Sequence, residues 1–172
     1  MTITELRPCY VVGAALMIAA CSPQAASEPP TSATSGAQVV AGAPSTHPVS
    51  GLEVVPVTLT LEGGEHIIDA ELAATPQAQA RGLMFRTEMG ADEGMIFPYE
   101  NAHVLSFWMK NTVIPLDIIF IGPDQRVINV AANAVPYSLT PVTAEGVASA
   151  VLELNGGRAA ELGIGPGTKI DW

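Results

Sequence analysis

The sequence predicts a mainly β domain, a compact β-barrel or sandwich carrying one or two short helices. Three observations lead there. Apolar and polar residues alternate with period 2 in several short runs. Glycine (16) and proline (14) are frequent and punctuate those runs. The segments that carry helix caps are too short to form the main architecture.

Val55, Val57, Leu59 and Leu61 share one parity, and Thr58, Thr60 and Glu62 the other. After Gly63-Gly64 the alternation resumes, with Ile68, Ala70 and Leu72 on one face and Asp69 and Glu71 on the other. Two such runs about Gly-Gly predict a β-hairpin. Thr75-Pro76 before Gln77–Arg81, closed by Gly82, supplies an N-cap, a first-turn proline and a terminating glycine, hence a short helix. Further strands are expected at about 94–97, 104–109, 116–121, 126–132, 148–154 and 168–171. Gly122-Pro123-Asp124-Gln125 marks a hairpin turn, and Asn155-Gly156-Gly157 opens a second short helix closed by Gly163.

The 172 residues suffice for one ordinary domain. Charged residues make up only 14%, against roughly 25% in an average soluble domain. Seven Lys and Arg face 17 Asp and Glu, for a formal charge of -10. Nucleic-acid binding and polybasic membrane recognition both need clustered cations, so this balance argues against them.

The first 20 residues read as a signal segment. An apolar core runs from Tyr10 to Ala20, too short to span a bilayer, and ends in Ile18-Ala19-Ala20-Cys21. Small residues before a cysteine resemble the lipobox of bacterial lipoproteins, which implies a lipid on Cys21 as the membrane attachment. Ser22, where an Asp would resemble an inner-membrane retention signal, points to the outer membrane facing the periplasm. Residues 21–51 are rich in Ala, Ser, Thr, Pro and Gly and predict a disordered tether with a reach of roughly 30 Å. His47 falls in that tether and carries no role there. The folded domain is expected over 52–172 and contains no cysteine, which excludes thiolate chemistry and disulfides within it.

GLMFR (82–86), GMIFPY (94–99), FWMKNTVIPLDIIFI (107–121) and VLELNGG (151–157) occur in this order. Together they resemble the bacterial and archaeal family called domain of unknown function 192. The resemblance spans nearly all of 52–172; it implies a small β-barrel-like fold and no particular activity.

Charge inside apolar strands is the chemical oddity. Asp117 interrupts Leu116 and Ile118–Ile121, Glu153 interrupts Val151-Leu152 and Leu154, and Lys110 follows Phe107-Trp108-Met109. Such groups must be paired, protonated or open to water. Strand alternation could expose them, or Lys110 and Asp117 could pair across the intervening loop. Alternatively, Arg86, Trp108, Lys110, Asn111, Asp117 and Glu153 converge on a polar ligand in a pocket at one end of the fold. Parity places Phe107 with Met109 and Trp108 with Lys110, so one pair should face the core and the other the outside. Arg81 is expected only to complement the end of its helix.

Three functions follow. The leading one is a tethered periplasmic binding module for a small polar ligand, a glycan or an envelope protein, with no catalytic residue and no cofactor or metal assigned. The second is a hydrolase of glycan or cell-wall material using Asp117 and Glu153 as acid and base, which requires both carboxyls in one cleft. The third is copper handling by Met84, Met89, Met95 and Met109 with His103. Signatures of serine hydrolases, zincins, phosphate loops and dinucleotide sites are absent from the sequence.

Overall fold

The computed structural model describes residues 45–172. The signal segment, Cys21 and the tether up to residue 44 lie outside the described residues. In chain order the elements are β1 (Ser45–Thr46), β2 (Glu53–Leu61), β3 (Gly64–Leu72), α1 (Pro76–Arg81), β4 (Glu93–His103) and β5 (Ser106–Phe107). Then follow β6 (Leu116–Ile121), β7 (Val127–Ala134), β8 (Val142–Thr143), β9 (Ala148–Asn155), α2 (Arg158–Leu162) and β10 (Lys169–Asp171). The fold is mainly β with two short helices.

Strand pairing among the described residues begins earlier than Leu52. Ser45 and Thr46 pair with Val54 and Glu53, and His47 closes the turn between them by donating its N–H to Leu52 O and accepting from Gly51 N–H. The alternation of β2 is long enough to recruit a partner that the sequence alone assigns to the tether.

One mixed sheet runs in the order β1-β2-β3-β4-β9-β6-β7, with β10 also paired to β2. The hairpin about Gly63-Gly64 forms with Leu61 opposite Gly64. Pairing is antiparallel except between β3 and β4, which run parallel through a crossover containing α1. A single bridge between Arg126 and Lys169 links the start of β7 to β10. One bridge is not a ladder, so the sheet curls without closing into a barrel, and a sandwich-like domain results. β5 and β8 form a separate two-stranded ribbon.

Both faces of the central strands are covered. One face packs Val57, Leu59, Ile68, Ile96, Ile119, Leu152, Leu154 and Ile170 together. The other packs Met95, Phe97, Ile118, Phe120 and Val151 beneath Leu83, Leu105 and Met109, which come from the connecting segments. Every residue of β6 is buried, which explains its continuous apolar run. Alternation therefore does not carry a charge in β6 or β9 to solvent, contrary to the exposed-face expectation. Each such charge needs its own solution.

The helix signals hold. Thr75 Oγ1 accepts the Ala78 N–H at 3.2 Å, Pro76 begins α1, and Gly82 ends it. The strand expected over 104–109 shrinks to Ser106–Phe107, because Met109 N–H donates to Ser138 O and Asn111 turns the backbone at φ 57°.

Candidate functional site

Asp117 is completely buried and is consumed by backbone hydrogen bonds. Its Oδ1 accepts the N–H of Asn133 at 2.8 Å and of Gly157 at 3.0 Å, while Oδ2 accepts the N–H of Ala159 at 2.8 Å. Gly157, in the left-handed region at φ 91°, offers no side-chain cap to α2, so Asp117 caps that helix from β6. Among the described residues it forms no ion pair, and the expected Lys110–Asp117 bridge does not exist. Lys110 is exposed, with Nζ 5.2 Å from the centre of the Trp108 ring.

Glu153 lies on the other face. In the β6–β9 ladder Asp117 stands opposite Leu154 and Glu153 opposite Ile118, and directly opposed residues share a face. Glu153 is 5% exposed and, among the described residues, forms no ion pair and no side-chain hydrogen bond. Burial pushes its carboxyl up to about 8, so it is mostly protonated at neutral pH. It lines a recess of about 30 Å³ together with Arg81, Met84, Phe107, Trp108 and Lys110. That volume admits the tip of one polar group, roughly one or two waters in size.

The rim follows the parity of its strand. Phe107 packs against the core cluster and Met109 enters it, whereas Trp108 is 51% exposed beside Lys110. Asn111 supports the rim from below, its carbonyl accepting Phe85 N–H and its Nδ2 donating to Met84 Sδ at 3.8 Å. Tyr99 stands half-buried nearby; burial first and the Glu153 charge second push its hydroxyl up. Of the residues nominated by the sequence, Trp108, Lys110 and Glu153 thus share one recess, Asn111 adjoins it, and Asp117 and Arg86 lie elsewhere.

Arg86 is buried against Glu71. Its Nη2 donates to Glu71 Oε1 at 2.7 Å, and His47 Nδ1 lies 3.6 Å from the same oxygen. Glu71 Oε2 is buried and has no hydrogen-bond partner among the described residues. A cleft of about 550 Å³ beside this group is lined by His47, Phe85, Arg86, Met89 and Glu93. Glu71 stands opposite Met95, and Met95 opposite Glu153, so the two carboxylates face the same side with backbones about 10 Å apart.

The acid-base expectation is overturned here, and the methionine expectation loses three of its four thioethers to the core. Asp117 and Glu153 cannot act as acid and base on one substrate, because the sheet separates them. Met95 and Met109 are buried in hydrocarbon and Met89 packs against them, so these thioethers fill the core. Among the described residues no three His, Cys, Asp or Glu side chains are grouped to hold a metal ion.

Sequence reasoning missed Glu71, His47 and the place of Arg81 on the recess. Glu71 sits in a clean alternation that gives no hint of cover over its face; the cover arrives with β4 and the loop carrying Arg86. Arg81 signals only a helix end, and its neighbourhood with Glu153 is made by the crossover.

A solved structure of a protein of unknown function from Novosphingobium aromaticivorans is similar, with 61% identity and a TM-score of 0.74 over 77% of this chain and 94% of that one. A candidate transcription regulator from Sinorhizobium meliloti is 37% identical, with a TM-score of 0.65 over 67% of this chain and 91% of that one. No curated protein matches the sequence. The pattern of the family described as DUF192, uncharacterized ACR, matches residues 57–172, and the chain belongs to that family.

Proposed function

We propose that this protein is a non-catalytic binding module of the bacterial envelope, tethered through a lipid on Cys21, which takes a polar group of its ligand into the Glu153 recess. The observation that carries the reading is Glu153 itself. A carboxyl this deeply buried, lining a small recess and without a partner among the described residues, costs the fold stability, and such a cost is characteristic of groups kept for a contact made from outside. Trp108 supports the reading as an exposed flat surface beside the recess, the kind of rigid amphipathic contact that ligand sites use.

The regulator description belongs to the Sinorhizobium protein. Here seven Lys and Arg against 17 Asp and Glu supply no basic face for a phosphate backbone. The lipid anchor rests on Ile18-Ala19-Ala20-Cys21 and Ser22.

Titration of the full-length protein with a panel of sugars, amino acids and small carboxylates, following the Trp108 indole N–H by NMR, tests the recess. At least one compound should shift that signal in the wild type and lose its effect in Trp108→Ala or Glu153→Leu. A panel in which no compound moves Trp108 overturns the reading.

A further inference from the structure

Resting on that reading, the surroundings of the recess further specify what enters it. Two of the side chains lining it, Arg81 and Lys110, are cations, and neither forms an ion pair among the described residues. The remaining ionisable group in the lining is Glu153. Immediately beside the recess, sharing Phe107 and Trp108 with it, runs a groove of about 270 Å³ completed by Ser106 and Pro141. Its lining is two aromatic residues and a proline, with a single hydroxyl.

We propose that the ligand is a small carboxylate with a flat or apolar body, its anionic head in the recess between Glu153, Arg81 and Lys110 and its body in the groove over Phe107, Trp108 and Pro141. A protonated Glu153 donates a hydrogen bond to the incoming carboxylate, the short O–H···O⁻ type that is stronger than a neutral one. The lining then carries two positive charges and one donor, a set complementary to an anion and repulsive to an ammonium group. An uncharged head would leave both cations without a counterion and gain only the hydrogen bond. The groove has room for a body of one or two rings, which sets the ligand class as small rather than polymeric.

Proton occupancy of Glu153 enters the affinity directly, since only the protonated form donates. Among the other charged or titratable groups, Arg81 from α1 and Lys110 from the loop after β5 line the recess, Tyr99 from β4 stands near it, and Glu93, Asp69 and Glu71 with Arg86 lie farther along the same face. None of them is hydrogen-bonded to Glu153, so the Gln variant isolates its contribution.

Benzoate, benzamide and benzylamine differ in head charge on one ring and serve as probes of the full-length protein, read by calorimetry and by the Trp108 indole signal. Benzoate should bind most tightly. Its affinity should fall about tenfold between pH 7 and pH 9, as the donating fraction of a group near 8 declines. In Glu153→Gln, whose amide donates at every pH, benzoate binding should persist and vary less than about twofold over the same range. Arg81→Gln and Lys110→Gln should each weaken benzoate and leave benzamide unchanged. Equal or tighter binding of benzamide or benzylamine at Trp108 overturns the anion assignment while leaving the binding recess in place. Failure of all three to shift Trp108 overturns the assignment as well, and the wider panel then decides the recess itself.

Discussion

Asp117 and Glu153 occupy neighbouring strands one residue out of register, and their carboxyls face opposite sides of the sheet. Each meets the problem of a buried acid differently. Asp117 is satisfied by backbone N–H groups of Asn133, Gly157 and Ala159 and fixes the start of α2. Glu153 has no partner among the described residues, and burial favours its protonated form. One carboxyl belongs to the architecture, and the other is the group on which the proposed site rests.

Asp117→Asn should be strongly destabilising. The amide presents a donor where a backbone N–H already points, so at least one buried hydrogen bond becomes a clash of donors, at a cost of about 3–5 kcal/mol. Lys110→Met should change stability by less than about 0.5 kcal/mol, because Lys110 is exposed and forms no ion pair among the described residues. The double variant should be additive in urea denaturation, whereas a coupling above about 1 kcal/mol would revive the abandoned ion pair.

Glu153 makes stability fall as pH rises between about 4.5 and about 8. In that window the folded protein holds a proton that the unfolded chain has released, so alkalinity favours unfolding; above the folded value the slope vanishes. Glu153→Gln lacks this slope. It should match the wild type near pH 4 and exceed it at pH 8 by a few kcal/mol at most. Denaturation midpoints at pH 4, 6 and 8 give the comparison, and parallel curves for the two proteins would contradict the raised value.

Arg86→Met should leave Glu71 buried and uncompensated, costing about 3–5 kcal/mol. Adding Glu71→Leu should recover much of that loss, since the charge and its orphaned Oε2 go together. Thermal melts of the two single variants and the double variant read the recovery directly. Strict additivity would show that the two side chains do not depend on one another.

Gly94→Ala should destabilise by about 1–3 kcal/mol. A Cβ there would lie 2.8 Å from the Glu153 carbonyl oxygen and 2.9 Å from Leu154 Cδ2, and the backbone neighbour cannot step aside as a side chain could. The cost should appear as a lower urea midpoint with an unchanged slope.

Cys21 should be the acylated N-terminus of the mature protein, as Ile18-Ala19-Ala20-Cys21 proposes. Mass spectrometry of the purified N-terminal peptide should find diacylglycerol on Cys21 and no residue before it. An unmodified cysteine, or cleavage at another bond, removes the anchor and the envelope location together.

Local rules written into neighbouring residues were legible from the start. Thr75, Pro76 and Gly82 mark α1, Gly63-Gly64 marks the first hairpin, and alternation in 107–110 separates Phe107 and Met109 from Trp108 and Lys110. The end of α2 was equally plain at Gly163. Each depends on interactions within a few residues, where propensity and period suffice.

The sequence by itself thus determined the family, the mainly β class, the helix positions and the presence of unusual acids in apolar strands. Tertiary structure alone decided what those acids do. The parallel pairing of β3 with β4 brings Glu71 under Arg86, and the crossover between them lays Arg81 and Met84 beside Glu153. Cover on both faces removes the exposed side that alternation would otherwise offer. The physical reason is the range of the interactions. Caps and turns are settled over three or four residues, whereas the environment of a buried carboxyl is assembled from strands and loops that meet only after the whole sheet has formed.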